Sequence, residues 1–236
     1  MYPIGKIKLP KHIDNDLADA HSHKREGWHK WVTNNNQWEH LMRGYLASIT
    51  YVDYQLGRLL DALDKSPLSK NTIIVLWSDH GFHIGEKENW EKFALWDQTT
   101  RVPFFIHAPG ISANGKKCRQ AVTLTDIYPT LCELAKIPTP KQCDGTSLIK
   151  HLKDPSLVTK RTSLTSFQFW GEKTPSHAVS DDRYRYISYG DGFEELYDLK
   201  EDPHEFKNLA KIAKYSQIKE RLIKSIPKNA AKISRI

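Results

Sequence analysis

The chain reads as an α/β protein: a doubly wound sheet in residues 1–155, joined to a smaller α+β subdomain, an antiparallel sheet with a terminal helix, in residues 156–236. Three observations predict this. Residues 38–63 carry Leu41, Tyr45, Ile49, Val52, Leu56, Leu59, Leu60 and Leu63 at helical spacing. A β-branched run, TIIVLW, follows at residues 72–77 after a short turn, which makes one helix-to-strand step of a doubly wound sheet. Beyond Pro155, strand-like segments succeed one another at residues 163–170, 177–179, 184–189 and 194–199, and a basic helical stretch closes the chain.

Taken in order, the first 36 residues are punctuated by Pro3, Gly5 and Pro10, end on Asn34-Asn35-Asn36, and predict a long surface loop. On that reading His21, His23 and His29 are solvated loop histidines, with a metal site as the alternative. The long helix stops at Ser66-Pro67. The run at residues 72–77 does not alternate, as expected of a strand buried on both faces of a parallel sheet. Residues 102–107 (VPFFIH), closed by Ala108-Pro109-Gly110, predict a second strand and turn. Thr125 or Asp126 then caps a helix through Ile127, Leu131, Leu134 and Ala135, where Pro129 falls in the tolerant first turn.

Composition excludes several classes. With 39% hydrophobic and 27% charged residues the chain is globular, and no apolar run approaches the ~18 residues of a membrane span. The start, MYPIGKIKLP, lacks the pattern of a secretory signal. A net charge of +7 suits an anionic substrate or partner, although many of the basic residues fall in residues 207–235 and read as a solvated helical face. Without a helix-turn-helix, zinc-finger or RNP signature, nucleic acid is not expected. Cys118, Cys132 and Cys143 are too few for a disulfide framework and none belongs to a CxxC pair.

The chemistry concentrates in residues 78–103, SDHGFHIGEKENWEKFALWDQTTRVP. Asp79 and His80 fall just past the carboxyl end of the predicted strand, the edge where open α/β sheets bind ligands, and Gly81 lets the backbone turn there. Asp79 offers oxygen and His80 nitrogen to a metal, but a hard cation such as Ca²⁺ takes about six to eight ligands, so others must come from elsewhere. The alternative is a structural His80 hydrogen-bonded at the strand end. Lys92, in a loop with Gly85, Glu86, Lys87 and Asn89 and beside Trp90, Phe93 and Trp96, is placed to bind the oxygens of a tetrahedral anion. His83 is expected to face the same pocket, and Lys87 and Arg101 are further basic candidates.

This stretch, extended as SDHGFHIGEKENWEKFALWDQTTRVPFFIHAPG, resembles the sulfatase family, and within it the bacterial iduronate-2-sulfatase-like members. YLASITYVDYQLGRLLDAL, TLTDIYPTLCELAKI and RYRYISYGDGFEELYDLKEDPHEFKNLA resemble further family blocks in family order. The resemblance implies part of an alkaline-phosphatase-like doubly wound sheet with the family's carboxyl-terminal subdomain. It implies hydrolysis of sulfuric esters of sugars or polysaccharides, with Asp79 and His80 as Ca²⁺ ligands and Lys92 binding sulfate. His177 falls where similar sulfatases have a histidine that reaches the substrate. A periplasmic or extracellular setting is the family's usual one.

The departures are equally specific. Family members use a formylglycine nucleophile made from Cys or Ser in a C/S-x-P-S-R motif. Here Cys118 precedes Arg-Gln-Ala, Cys132 Glu-Leu-Ala and Cys143 Asp-Gly-Thr, and no serine begins the motif. The Asp pair that completes the family's calcium site is absent as well. The expectation is therefore a carboxyl-terminal part without its catalytic nucleophile, inactive alone and completed by a separately encoded amino-terminal half. Two other readings follow: a phosphatase or phosphodiesterase of the same superfamily, since Asp-His at a strand end also serves two-metal phosphoryl transfer, and a non-catalytic subunit that binds sulfated glycans. A sheet deprived of neighbouring strands would leave a long apolar edge open to pairing.

Overall fold

A computed structural model describes residues 1–21, 26–169 and 171–228. Helix α1 spans Glu26–Asn34 and α2 spans Trp38–Asp64. Lys65 caps α2 through its backbone N–H, and Pro67 forbids continuation. Strand β1, Ile74–Trp77, comes next, followed by the two-residue strands β2, His83–Ile84, and β3, Trp90–Glu91, which pair antiparallel. A single turn of helix, α3, covers Asp97–Thr100 and leads into β4, Phe104–His107.

The expectation for residues 72–77 needs correction here. β1 pairs antiparallel with β4, Ile74 opposite His107 and Trp77 opposite Phe104, in a sheet of two strands. Neither strand is buried on both faces, and Trp77 and Phe105 stand half-exposed or more. A short apolar run reports that a strand belongs to a core and not the direction of its neighbour. The loop at residues 78–103 turns back instead of crossing over, so the two strands must run in opposite directions.

Helices α4, Ile127–Leu134, and α5, Ile149–Lys153, follow. The turn before α4 is closed by a capping box: Thr125 N–H donates to the Thr123 hydroxyl, and Thr123 N–H donates to Asp126. Asp126 also accepts from Arg161.

Residues 163–198 form a four-stranded antiparallel meander in the order β5-β6-β7-β8: Ser163–Phe167, Ser176–Ser180, Tyr184–Ser188 and Glu194–Asp198. The last three strands match the predicted segments to within a residue at each end, whereas β5 stops at Phe167, short of the predicted 163–170, of which Trp170 lies outside the described residues. Period two sends Val179, Tyr186 and Leu196 to one face, where they pack with Leu222 of the terminal helix α6, Ser216–Ile223. Ala178, Ile187 and Tyr197 point the other way and pack on Leu95 and Trp96 of the motif loop and on Ala20. The motif loop is thus one wall of the sheet's core.

The amino-terminal segment differs from the predicted surface loop. Ala20, Asp16 and Val32 are buried, and α1 is helical. Asp19 accepts from Asn208 N–H at 2.9 Å, and Glu195 accepts from His21 N–H at 2.6 Å. His21 stacks on Tyr189 with ring centroids 4.1 Å apart, and His29 sits against Trp38 at 5.2 Å, so neither is a solvated loop histidine. His23 lies outside the described residues. Asp16 and Asp19 find partners far along the chain, Lys87 and Asn208, which composition does not reveal. No helix among the described residues is long and apolar enough to cross a membrane.

Candidate active site

β1 delivers Asp79 and His80 to the end of the two-stranded sheet. Ser78 N–H donates to the Pro103 carbonyl, continuing the β1–β4 ladder, and its hydroxyl donates to the His80 carbonyl at 2.7 Å. Gly81 N–H then donates to the Thr99 carbonyl at 2.9 Å, and any Cβ at position 81 would overlap the Gln98 carbonyl oxygen. Only glycine permits that approach, so the turn after His80 is set by backbone packing.

Asp79 is largely exposed, and its Oδ1 accepts the His80 backbone N–H at 3.0 Å. The His80 ring places Nδ1 2.8 Å from the Gly81 carbonyl. A carbonyl only accepts, so Nδ1 carries the proton and Nε2 keeps its lone pair in the neutral ring. That Nε2 lies 3.6 Å from Asp79 Oδ2. Two acceptors at this spacing match neighbouring ligands of one cation, which at ligand distances of about 2.4 Å sit roughly 3.4 Å apart. The pair therefore fits a divalent ion, as a part of its ligand set. Among the described residues no group of three or more His, Cys, Asp and Glu is assembled to hold a metal.

Lys92 follows β3, is exposed, and makes no ion pair among the described residues. Its Nζ lies 5.9 Å from the centre of the Phe93 ring. Phe93 in turn packs on Phe167 at the end of β5, with centroids 5.8 Å apart. His177, on β6 opposite Ser166, places Nδ1 2.8 Å from the Ser166 hydroxyl, and burial lowers its pKa. Phe167 and His177 lie near the same end of the β5–β6 pair but on opposite faces of the sheet, Phe167 with Ala178 and Ile187 and His177 with Ser166, so Lys92 and His177 are not joined through the phenylalanines. No hydrogen bond or ion pair among the described residues joins them to Asp79 and His80.

His83, expected at the pocket, is fully buried instead. Its ring meets the Trp96 ring edge to face at 5.7 Å, and Nδ1 lies 3.1 Å from the Glu86 carbonyl. Burial pushes its pKa down to about 4, so the ring is neutral and Nδ1 donates to that carbonyl. Its part in this arrangement is to hold the loop. Lys87 is also internal and pairs with Asp16 at 2.9 Å, while Arg101 is exposed and bonds Asp97 at 2.7 Å.

The loop is pinned to the sheet by a buried network that sequence reasoning missed. Trp96 Nε1–H donates to Glu195 at 2.7 Å, Asp97 N–H donates to Glu205 at 2.8 Å, and Arg185 bridges Asp97 at 2.5 Å and Glu205 at 3.0 Å. A signal was present for Arg185, which stands between Tyr184 and Tyr186-Ile187 in its strand, since a buried charge requires a partner; Glu195, in the acidic strand EELYD, gave none. Burial, and secondarily the nearby Asp97, push the Glu205 carboxyl up to about 7, against the Arg185 and Lys87 cations that favour its ionisation.

A raised carboxyl pKa means that the folded chain binds the proton more tightly than the unfolded chain. Glu205 therefore contributes stability at low pH that is lost as pH rises through about 7. The buried histidines act oppositely, but below their ordinary value of 6.5. Between pH 4.5 and about 7 wild type is expected to lose stability relative to Glu205→Gln in denaturant unfolding, a comparison in which the oppositely acting histidines cancel. An identical pH dependence of the two chains would assign no part of it to Glu205.

Comparison with known proteins gives the class first. The chain superposes on a solved "2-O GAG sulfatase" with a TM-score of 0.77 and 31% identity, covering 93% of this chain and 51% of that one. The fold is that of a sulfatase-type α/β hydrolytic enzyme. A "Sulfatase" from Formosa agariphila is 37% identical over 98% of this chain and 46% of its own length. A "Delta 4,5-hexuronate-2-O-sulfatase" from Bacteroides thetaiotaomicron is 35% identical over 80% of this chain and 42% of its own. The sulfatase family model matches residues 12–137, and the model for the carboxyl-terminal region of N-sulphoglucosamine sulphohydrolase matches residues 85–232. The chain belongs to the sulfatase family. It spans about half the length of the relatives it matches.

Proposed function

We propose that this chain supplies the carboxyl-terminal part of a sulfuric ester hydrolase acting on sulfated sugars or polysaccharides. Residues 1–155 would contribute to the α/β domain and residues 156–236 would form its smaller subdomain. The observation that carries the reading is the Asp79–His80 pair, whose acceptor atoms face one another at 3.6 Å on the end of β1 in a chain of this family. The names of two relatives, both 2-O-sulfatases of sugars, support the substrate class.

Asp79 and His80 would hold Ca²⁺ together with ligands from a separate amino-terminal half. Bound there, the ion would neutralise negative charge on the sulfate oxygens. Lys92 would place its ammonium on the same oxygens, and His177, whose charged form burial disfavours, would reach the sugar or the leaving oxygen through Nε2. His83 would keep the loop that carries Lys92 against Trp96. The nucleophile, a formylglycine, would come from the other half, because this chain has no C/S-x-P-S-R motif.

The test combines the chain with the portion of the Formosa relative that it does not span, produced with the formylglycine modification and calcium. The expected result is sulfate release from an unsaturated 2-O-sulfated disaccharide by the mixture and none by either part. Faster cleavage of bis(4-nitrophenyl) phosphate would favour the phosphodiesterase reading. Turnover by this chain alone would refute the division of roles.

A further inference from the structure

Residues 94–100 lie between the two parts of the candidate site and bond to the backbone of both. On one side the Thr99 carbonyl accepts Gly81 N–H at 2.9 Å, directly after Asp79 and His80. Gly81 sits so close to Gln98 that a Cβ would overlap the Gln98 carbonyl oxygen. On the other side the Thr99 hydroxyl donates to the Ala94 carbonyl at 3.0 Å, and Ala94 N–H donates to the Lys92 carbonyl at 3.0 Å. Thr99 and Ala94 are both buried. One threonine thus relates the backbone that follows the Asp79–His80 pair to the backbone that follows Lys92, although no direct bond joins those side chains.

This segment cannot hold its own shape. α3 has four residues, and a single helical turn is unfavourable in water because it fixes several dihedrals for one hydrogen bond. Its shape is imposed by Arg185 on β7. Nη1 donates to the Thr100 hydroxyl at 2.6 Å and to the Leu95 carbonyl at 3.4 Å, Nη2 donates to Asp97 at 2.5 Å, and Nε faces Glu205 at 3.0 Å. The Thr100 hydroxyl donates onward to the Trp96 carbonyl at 3.0 Å, which also accepts from the Thr99 hydroxyl at 3.1 Å. A planar guanidinium reaches such divergent acceptors at once, and a single ammonium does not. The charges balance, because exposed Arg101 takes the second Asp97 oxygen at 2.7 Å and leaves Arg185 to Glu205 and the first. Strand periodicity puts Arg185 on the face of Ile187, in the middle of the meander, so the support itself is rigid.

We propose that Arg185 is a positioning residue that sets the spacing between the Asp79–His80 pair and Lys92 by holding residues 94–100 against the meander. The roles of those three residues rest on the function proposed above; the support that Arg185 gives the segment does not. Arg185 is 4% exposed and acts only through the segment it holds.

Two measurements test this. The first is residue-resolved hydrogen exchange on this chain, comparing Arg185→Lys with Leu222→Ala, which removes core packing from the opposite face of the same sheet. The Gly81 and Ala94 amides are expected to exchange at least ~10-fold faster in Arg185→Lys than in Leu222→Ala, a local opening and not a global one. Equal rates in the two variants overturn the proposal. The second is kinetics of the completed enzyme. Arg185→Lys is expected to lower kcat by about 10², the cost of misplacing a group by about an ångström, but by less than ~3-fold when Lys92→Ala is already present. A smaller folded fraction would multiply both backgrounds alike, so equal losses in the two overturn the proposal. Where Arg185→Lys does not fold, Thr100→Val keeps the guanidinium with its carboxylates, removes one acceptor, and is read in the same way with ~3-fold effects on exchange. If the wild-type mixture releases no sulfate, the proposed function falls and the exchange pattern by itself decides the part of Arg185.

Discussion

Asp16→Ala is expected to destabilise the chain by about 3–5 kcal/mol, because it strands a buried ammonium. Lys87 and Asp16 are each 2% exposed or less, and their charged atoms are 2.9 Å apart. The Tyr197 ring lies 5.0 Å from Lys87 Nζ, and a cation–π contact of that kind contributes far less than the lost partner. Without the carboxylate, Lys87 must lose its proton or drag residues 85–92 away from the sheet. Lys87→Met should cost less, since burial already raises the Asp16 pKa and a protonated carboxyl is tolerated. The double variant should recover most of the loss, because a buried pair replaced by apolar groups is often near neutral. Urea unfolding of all four chains closes the cycle. A loss below ~1 kcal/mol for Asp16→Ala would mean that the amino-terminal segment does not dock on the motif loop.

In the completed enzyme, Lys92→Ala is expected to lower kcat/KM for sulfate release by about 10²–10³, the usual effect of removing one group that stabilises developing charge. Stability should change by less than about 0.5 kcal/mol, since the side chain is exposed and unpaired among the described residues. Lys92→Arg should restore part of the rate by returning the charge with a different donor geometry. A rise in KM with unchanged kcat would show that Lys92 binds the ground state as strongly as the transition state. Unchanged values of both would remove it from the site. The two experiments separate roles: the first tests the platform that Asp16 supports, the second the part proposed for Lys92 at the reacting group.

Much of the fold was legible because its signals are local. The spacing of Leu41 to Leu63 specifies α2, and the four strands of the meander emerge where β-rich segments alternate with turns. The Asp79–His80 pair was legible for the same reason, since a strand end, two ligand-type residues and a mandatory glycine occupy adjacent positions. His83 and Lys87 misled because a histidine and a lysine near a motif look available until their burial is known. Period alone could not show the direction in which residues 74–77 pair, because that depends on how residues 78–103 return.

Local chemistry in the amino-acid order was therefore enough to establish the family resemblance, the helix and strand segments and the candidate ligands Asp79, His80, Lys92 and His177. The burial of His83, the Lys87–Asp16 pair and the bond between Asp19 and Asn208 emerged only in three dimensions. The last two join residues 71 and 189 positions apart. A charge's partner and a helix face's neighbour are properties of the packed chain, whose favourable pairings repay desolvation only once distant segments have met.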